Sequence, residues 1–245
     1  MSKNNSKFRF KRFAVSHHRS SMKVGVDGVL IGCWADVNDA KQILDVGTGC
    51  GLIALIMAQR APESEVYAVD VDHPSIEEAK ENIAESPWPA RIRAFECGFE
   101  HAKGLTDGRG FDLIVSNPPY FDSGVTEILT AREKARHQGV LSPAVLLKGA
   151  LVMLNAGGSV AMVVPSEMTE SLNATAESLG YFLVRSCLVR GHEKAPYKRS
   201  LLQWRLGSGE NPCSGPVADT MTLEISPGQP TDEYRFLCKD FYLKF

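Results

Sequence analysis

The sequence predicts an α/β fold: a doubly wound, seven-stranded, mostly parallel sheet with an antiparallel edge strand. Three observations carry this. Residues 43–206 alternate short apolar runs with stretches of helical periodicity, the pattern of strands joined by covering helices. A glycine-rich turn directly follows the first apolar run. The last two runs have no helical stretch between them, so they pair antiparallel at one edge.

Each element follows in order. Ile43 to Val46 is an apolar run ending at the turn, and Leu52 to Arg60 carries apolar residues at helical spacing, with Pro62 just beyond. Glu65 to Val69 reads as a second strand. Pro74 to Ile83 is an amphipathic helix, with Pro74 near its start and Ile76, Ala79 and Ile83 on one face. Arg91 to Phe95 and Phe111 to Val115 are the third and fourth strands. Leu141 to Leu154 reads as a helix, closed by Gly157 and Gly158 in a left-handed end. Ser159 to Val164 is a strand, Glu167 to Leu179 a helix stopped at Gly180, and Tyr181 to Val189 and Leu201 to Leu206 the final pair. Met221 to Ile225 offers one more strand. The aromatic tail, Asp232 to Phe245, folds back on the body. The expected organisation is a basic arm and lead-in (1–39), a catalytic domain (40–206) and a C-terminal extension on the same domain (207–245).

Composition excludes several classes. With 245 residues, 44% hydrophobic and 23% charged, the chain is an ordinary globular one. No apolar run reaches the roughly 18 residues of a membrane span, and no signal-like h-region is visible, so a cytoplasmic protein with no membrane partner is expected. The six cysteines form no CxxC pair and read as reduced thiols, and no metal site is expected. The net charge of −2 hides an asymmetry. Residues 1–23 hold seven cations and no acid, leaving −9 on the remainder. Lys7, Arg9, Lys11, Arg12 and Arg19 in that arm are candidate polyanion contacts, and the alternation Phe8-Arg9-Phe10-Lys11 fits a short docked strand.

Asp45-Val46-Gly47-Thr48-Gly49-Cys50-Gly51 opens a helix. Glycines let a ligand approach the backbone, and the helix end supplies free N–H groups. Asp70, nineteen residues after Gly51 at the end of the second strand, is placed to accept both hydroxyls of a ribose. A dinucleotide site uses G-x-G-x-x-G; here the spacing is G-x-G-x-G, and the preceding acid, Asp45, repels pyrophosphate. S-adenosyl-L-methionine carries a sulfonium and an amino group and no phosphate, so it is the favoured cofactor.

Asn117-Pro118-Pro119-Tyr120 follows the fourth strand, on the side where the glycine turn opens. An amine conjugated to a ring is a poor nucleophile. The Asn117 side-chain carbonyl and the Pro118 backbone carbonyl can take its two N–H groups and direct its lone pair. Tyr120 can stack on the ring. Catalysis of this kind is positioning and electrostatics, with no strong base.

The two motifs resemble those of class I S-adenosylmethionine-dependent methyltransferases, Rossmann-like enzymes whose N-P-P-Y group methylates planar nitrogens. Met22 to Trp34, Ser86-Pro87-Trp88, the terminal Phe241-Tyr242-Leu243 and the Phe-rich basic arm resemble one family in particular, the bacterial tRNA adenine-N6 methyltransferases acting on a valine tRNA beside the anticodon. That resemblance spans about Phe8 to Phe245. It implies that Asp45, Gly47, Gly49, Gly51 and Asp70 hold the cofactor, with Lys23 and Asp27 in a segment packed over it. It also implies that Asn117, Pro118 and Tyr120 hold the adenine, and that tRNA is the partner with no obligate protein partner. Alternatives are a protein N5-glutamine methyltransferase and a guanine-N2 RNA methyltransferase. The former usually adds a helical N-terminal domain, where this chain has a basic arm. After the third strand many members carry an Asp for the cofactor's adenine; here Gly98 stands near that place, with Phe99 or Glu96 as substitutes. Arg132, Arg136, Lys198 and Arg199 complete the candidate RNA contacts, and His17-His18 reads as RNA contact or solvated surface before metal ligand.

Overall fold

The computed structural model describes residues 7–119, 141–207 and 215–245. Tyr120, Arg132 and Arg136 therefore lie outside the described residues. In chain order the elements are β1 (Phe8–Arg9), β2 (Ala14–Val15), α1 (Val26–Trp34), β3 (Gln42–Val46), α2 (Leu52–Arg60), β4 (Glu65–Asp70), α3 (His73–Ala84) and β5 (Ile92–Glu96). Then come β6 (Phe111–Ser116), α4 (Pro143–Ala150), β7 (Leu154–Pro165), α5 (Thr169–Ser178), β8 (Tyr181–His192), β9 (Arg199–Leu206), β10 (Val217–Ser226), β11 (Gln229–Pro230) and α6 (Asp232–Cys238).

The main sheet has the order β11-β10-β8-β9-β7-β6-β3-β4-β5. β3, β4, β5, β6 and β7 run parallel, and β9 is antiparallel to both its neighbours, β7 and β8. All five residues of β3 are buried, as a central parallel strand requires. Alternate residues face opposite layers: Ile43 joins the core under α1 and α2, whereas Leu44 and Val46 join the core under α4 and α5. β3 thus ends inside the sheet, third from the β5 edge, with β4 and β6 on either side.

Three expectations are corrected. The β8–β9 pair is antiparallel but not at the edge, because β10 adds to β8 in parallel and β11 follows it, making nine strands. In β10 only Met221 is buried, and of its ten residues the sequence signals only the stretch from Met221 to Ile225. Gly157 and Gly158 do not end a helix. α4 stops at Ala150, and the glycines lie in β7 where pairing jumps from Phe111↔Leu154 to Leu113↔Ser159. A Cβ on Gly158 would stand 2.9 Å from the Phe111 carbonyl, so this bulge needs close backbone approach. α1 gives no amphipathic signal in the sequence, because seven of its nine residues are buried.

The arm docks. β1 pairs with β2, and Phe10 bridges to Tyr242 of the C-terminal tail. Phe10 stacks on Phe13 at 4.7 Å between ring centres, and Phe13 meets the edge of Trp88 at 5.8 Å. Phe10, Phe13, Tyr234 and Phe241 share the core that holds α1 and α2.

Candidate active site

A cavity of about 890 Å³ opens at the carboxyl ends of β3, β4, β5 and β6. Gly47 and Gly49 after β3, Asp70 ending β4, Gly98 after β5 and Asn117 after β6 all line it. A second layer lines it from above: Lys23, Asp27 on the first turn of α1, and Arg199 at the start of β9. A smaller cavity of about 200 Å³ lies among Asp36, Asp39, Asp112 and Arg205, and no motif residue enters it.

The glycine turn is held by its backbone. The Gly47 and Thr48 N–H groups donate to the Val69 carbonyl at 2.9 and 3.1 Å. Gly47 has φ +70°, and a Cβ there would meet no heavy atom within 4 Å: this residue presents bare backbone to open space. Gly49 has φ +54° and donates its N–H to Asp70 Oδ2 at 2.9 Å, while Asp70 Oδ1 accepts from the Asp72 N–H at 3.0 Å. One carboxylate therefore ties the first turn to the end of β4, and lone pairs remain for a ligand.

Asp45 has a different place from the one expected. It is fully buried and absent from the cavity wall. Its Oδ2 accepts from Thr48 Oγ1 at 2.6 Å and from the Ala54 N–H at 3.0 Å, so it braces the turn against α2. Burial pushes its carboxyl up to about 7 against the lowering effect of those two hydrogen bonds. Gly51 also stays off the cavity wall: at φ +84° it caps α2, and a Cβ there would stand 3.4 Å from Ala79 Cβ on α3. Pro118 is buried and does not line the cavity, although its neighbours Asn117 and Pro119 do.

The expected RNA cations divide. Lys7 pairs with Glu85, Arg19 with Glu81, and Lys11 donates to the Lys239 and Phe245 carbonyls. Arg12 lies 5.3 Å over the Trp88 ring. Glu85 and Trp88 lie at and beyond the C-terminal end of α3, and Asp70 of the cavity immediately precedes its N-terminal end. At 1.5 Å per residue that helix spans about 18 Å, so Lys7 and Arg12 sit far from the cavity. Arg9 and Lys198 are exposed. Arg199 donates Nε–H to Asp27 Oδ2 at 2.7 Å and so forms part of the cavity wall.

Sequence reasoning missed several wall residues. Val71 is 71% exposed, lines the cavity and directly follows Asp70. Glu100 lines it too, and Phe99, one of the expected substitutes for the purine contact, lines it beside Gly98. Glu96 does not; its Oε2 meets His73 Nδ1 at 2.6 Å. The signal available for Val71 was an apolar residue where a strand has already ended.

Taken together, a mostly parallel sheet in which β9 and β11 are reversed, a glycine turn and a strand-end acid around one cavity define a class I methyltransferase. The fold is similar to that of a predicted O-methyltransferase from Agrobacterium tumefaciens (TM-score 0.64, 18% identity, covering 88% of this chain and 96% of that one). It is also similar to a Listeria monocytogenes protein described as a class I S-adenosylmethionine-dependent methyltransferase (TM-score 0.54, 15% identity, 87% and 67%). The chain belongs to the methyltransferase small domain family, whose model matches residues 28–179, and within it to the group of its curated relatives. Two of these are the tRNA1(Val) (adenine(37)-N6)-methyltransferases of Trichodesmium erythraeum (39% identity over 98% of this chain and 99% of the relative) and Aeromonas hydrophila (39%, 98% and 98%).

Proposed function

We propose that the protein transfers the methyl group of S-adenosylmethionine to N6 of adenosine 37 in a valine tRNA, in keeping with the names of those relatives. The observation that carries this is the opening of Asn117, the Gly47–Gly49 turn and Asp70 onto one cavity. The cavity suits the cofactor. It offers bare backbone at Gly47, apolar walls at Val26, Val69, Val71 and Phe99, and acids at Asp27, Asp70 and Glu100; of the two cations among the described lining residues, Arg199 pairs with Asp27 and Lys23 donates to the His17 carbonyl. Asp70 holds the ribose hydroxyls, and Val71 with Phe99 flanks the purine. When bound, S-adenosylmethionine supplies an electrophilic methyl group on a sulfonium.

The chain's own groups do the rest. Asn117 Oδ1 and the Pro118 carbonyl accept the two N6 hydrogens, which pulls the nitrogen from planarity and points its lone pair into the cavity. The prolines restrict the backbone that carries both acceptors, so their geometry is set before substrate arrives. Tyr120 stacks on the adenine. No general base is required, because the nitrogen becomes acidic once alkylated and its proton passes to solvent. Lys198 and Arg199, with Arg132 and Arg136, carry tRNA phosphates, and Lys23 stays with the cofactor. Gly98 supplies backbone contact to the purine.

The test offers the purified protein labelled S-adenosylmethionine together with unmodified valine tRNA and a release factor. Label in RNA as N6-methyladenosine is expected. Label in protein, or on guanine N2, would overturn the reading.

A further inference from the structure

We infer that Glu78 is a positioning residue for the cofactor cavity, acting through the segment 16–23; this rests on the cofactor reading above. Glu78 sits midway along α3, is 1% exposed, and does not line the cavity. Its carboxylate takes three consecutive backbone N–H groups of the arm. Oε1 accepts from His18 at 2.6 Å and Arg19 at 3.1 Å, and Oε2 accepts from Ser20 at 2.8 Å. One turn later on the same helix face, Asn82 accepts the Ser16 N–H at 2.8 Å and donates to the carbonyls of Ser16 and Cys50, each at 2.8 Å. Cys50 belongs to the glycine turn, so one helix fixes both that turn and the strap that crosses it.

The strap continues straight into the cavity wall. Ser21, Met22 and Lys23 line it, and Lys23 Nζ folds back to the His17 carbonyl at 2.7 Å. Ser20 packs against the turn: a Cβ on Gly49 would stand 3.1 Å from Ser20 Oγ. A buried carboxylate bound to successive amides is a strong and directional anchor, because each bond is charge-assisted. The strap has no regular secondary structure of its own from residue 16 to residue 25. Without Glu78 its amides lose their partner, and the wall at residues 21–23 loses its fixed position. The charge of residues 1–23 therefore does not act as a whole toward RNA; its last third is a strap anchored on α3.

The experiment is calorimetric titration of S-adenosylhomocysteine into the wild-type protein and Glu78→Gln, with melting of each unliganded protein. Glu78→Gln should weaken binding by about tenfold, and in turnover the KM for S-adenosylmethionine should rise more than kcat falls. Glu78→Asp should recover part of the loss. Hydrogen exchange on wild-type protein provides a second readout that does not depend on the variant folding: S-adenosylhomocysteine should slow exchange of the amides at 18–23. Equal affinity in wild type and variant, or exchange at 18–23 indifferent to the ligand, would overturn the inference. Failure of wild-type protein to bind the ligand at all would instead overturn the cofactor reading.

Discussion

Asn117 illustrates how one side chain separates binding from chemistry. It lines the cavity at the end of β6, whereas Gly47, Gly49 and Asp70 occupy other strand ends. Asn117→Ala should therefore abolish methyl transfer while leaving S-adenosylhomocysteine affinity within about threefold, since only transition-state contacts are removed. Parallel loss of both in kinetics and calorimetry would contradict its role. Asp45 makes a different prediction. Its folded carboxyl titrates near 7, above that of an unfolded aspartate, so the unfolded chain releases the proton first. Stability at this residue is undiminished below about pH 4, falls as pH rises toward about 7, and is level above that. Asp45→Asn keeps an acceptor for Thr48 and Ala54 and should flatten that decline in urea denaturation run across the pH range. Motif reading placed Asp45 beside the ligand because spacing reports proximity in sequence. Which layer a strand residue faces depends on the helices packed on each side, and Asp45 shares with Ile43 the side that α2 covers.

At the scale of elements, the segments with clear periodicity were legible. α2 and α3 match the expected ranges closely, and the Asp72 cap and early Pro74 explain where α3 starts. α1 was illegible because it is apolar on nearly all sides, being enclosed between α2, the sheet and α6. Its glycines are the clue to that packing. A Cβ on Gly32 would lie 3.0 Å from both Ile56 Cδ1 and Cγ2, and Ile56 is fully buried. Alanine gains about 1 kcal/mol of helix propensity over glycine, but overpacking of this kind costs about 1–3 kcal/mol. Gly32→Ala should thus destabilise on balance. Gly28→Ala meets the tip of Leu52 at 3.2 Å and Ile53 Cγ1 at 4.0 Å, and should be close to neutral or stabilising. Chemical denaturation of the two variants tests the ordering. The glycines at 157 and 158 teach the converse lesson: a Gly-Gly pair after a helical stretch fits a helix end and a strand bulge equally, and the β6–β7 register decides between them.

For the whole molecule, the near-neutral charge resolves into local uses. The arm's phenylalanines belong to the core, and Lys7, Lys11 and Arg19 are paired inside the molecule. A one-dimensional count of cations could not show this, because Glu81, Glu85 and Lys239 are brought to the arm only by the fold. Among the described cations, Lys198 is exposed and adjoins Arg199 on the cavity wall. Lys198→Ala should lower the salt slope of tRNA binding by about one, and Lys11→Ala should leave it unchanged. A reversed pattern in binding measured across salt concentrations would return the arm to the RNA interface.

The central claim joins cofactor, base and position. Its most direct test is nucleoside mass spectrometry of valine tRNA transcripts incubated with the protein and S-adenosylmethionine, alongside a transcript carrying guanosine at position 37. The account predicts one N6-methyladenosine per transcript, mapped to position 37, absent with guanosine there and absent with Asn117→Ala. N6-methyladenosine elsewhere in the transcript, or its formation by Asn117→Ala at the wild-type rate, would contradict it.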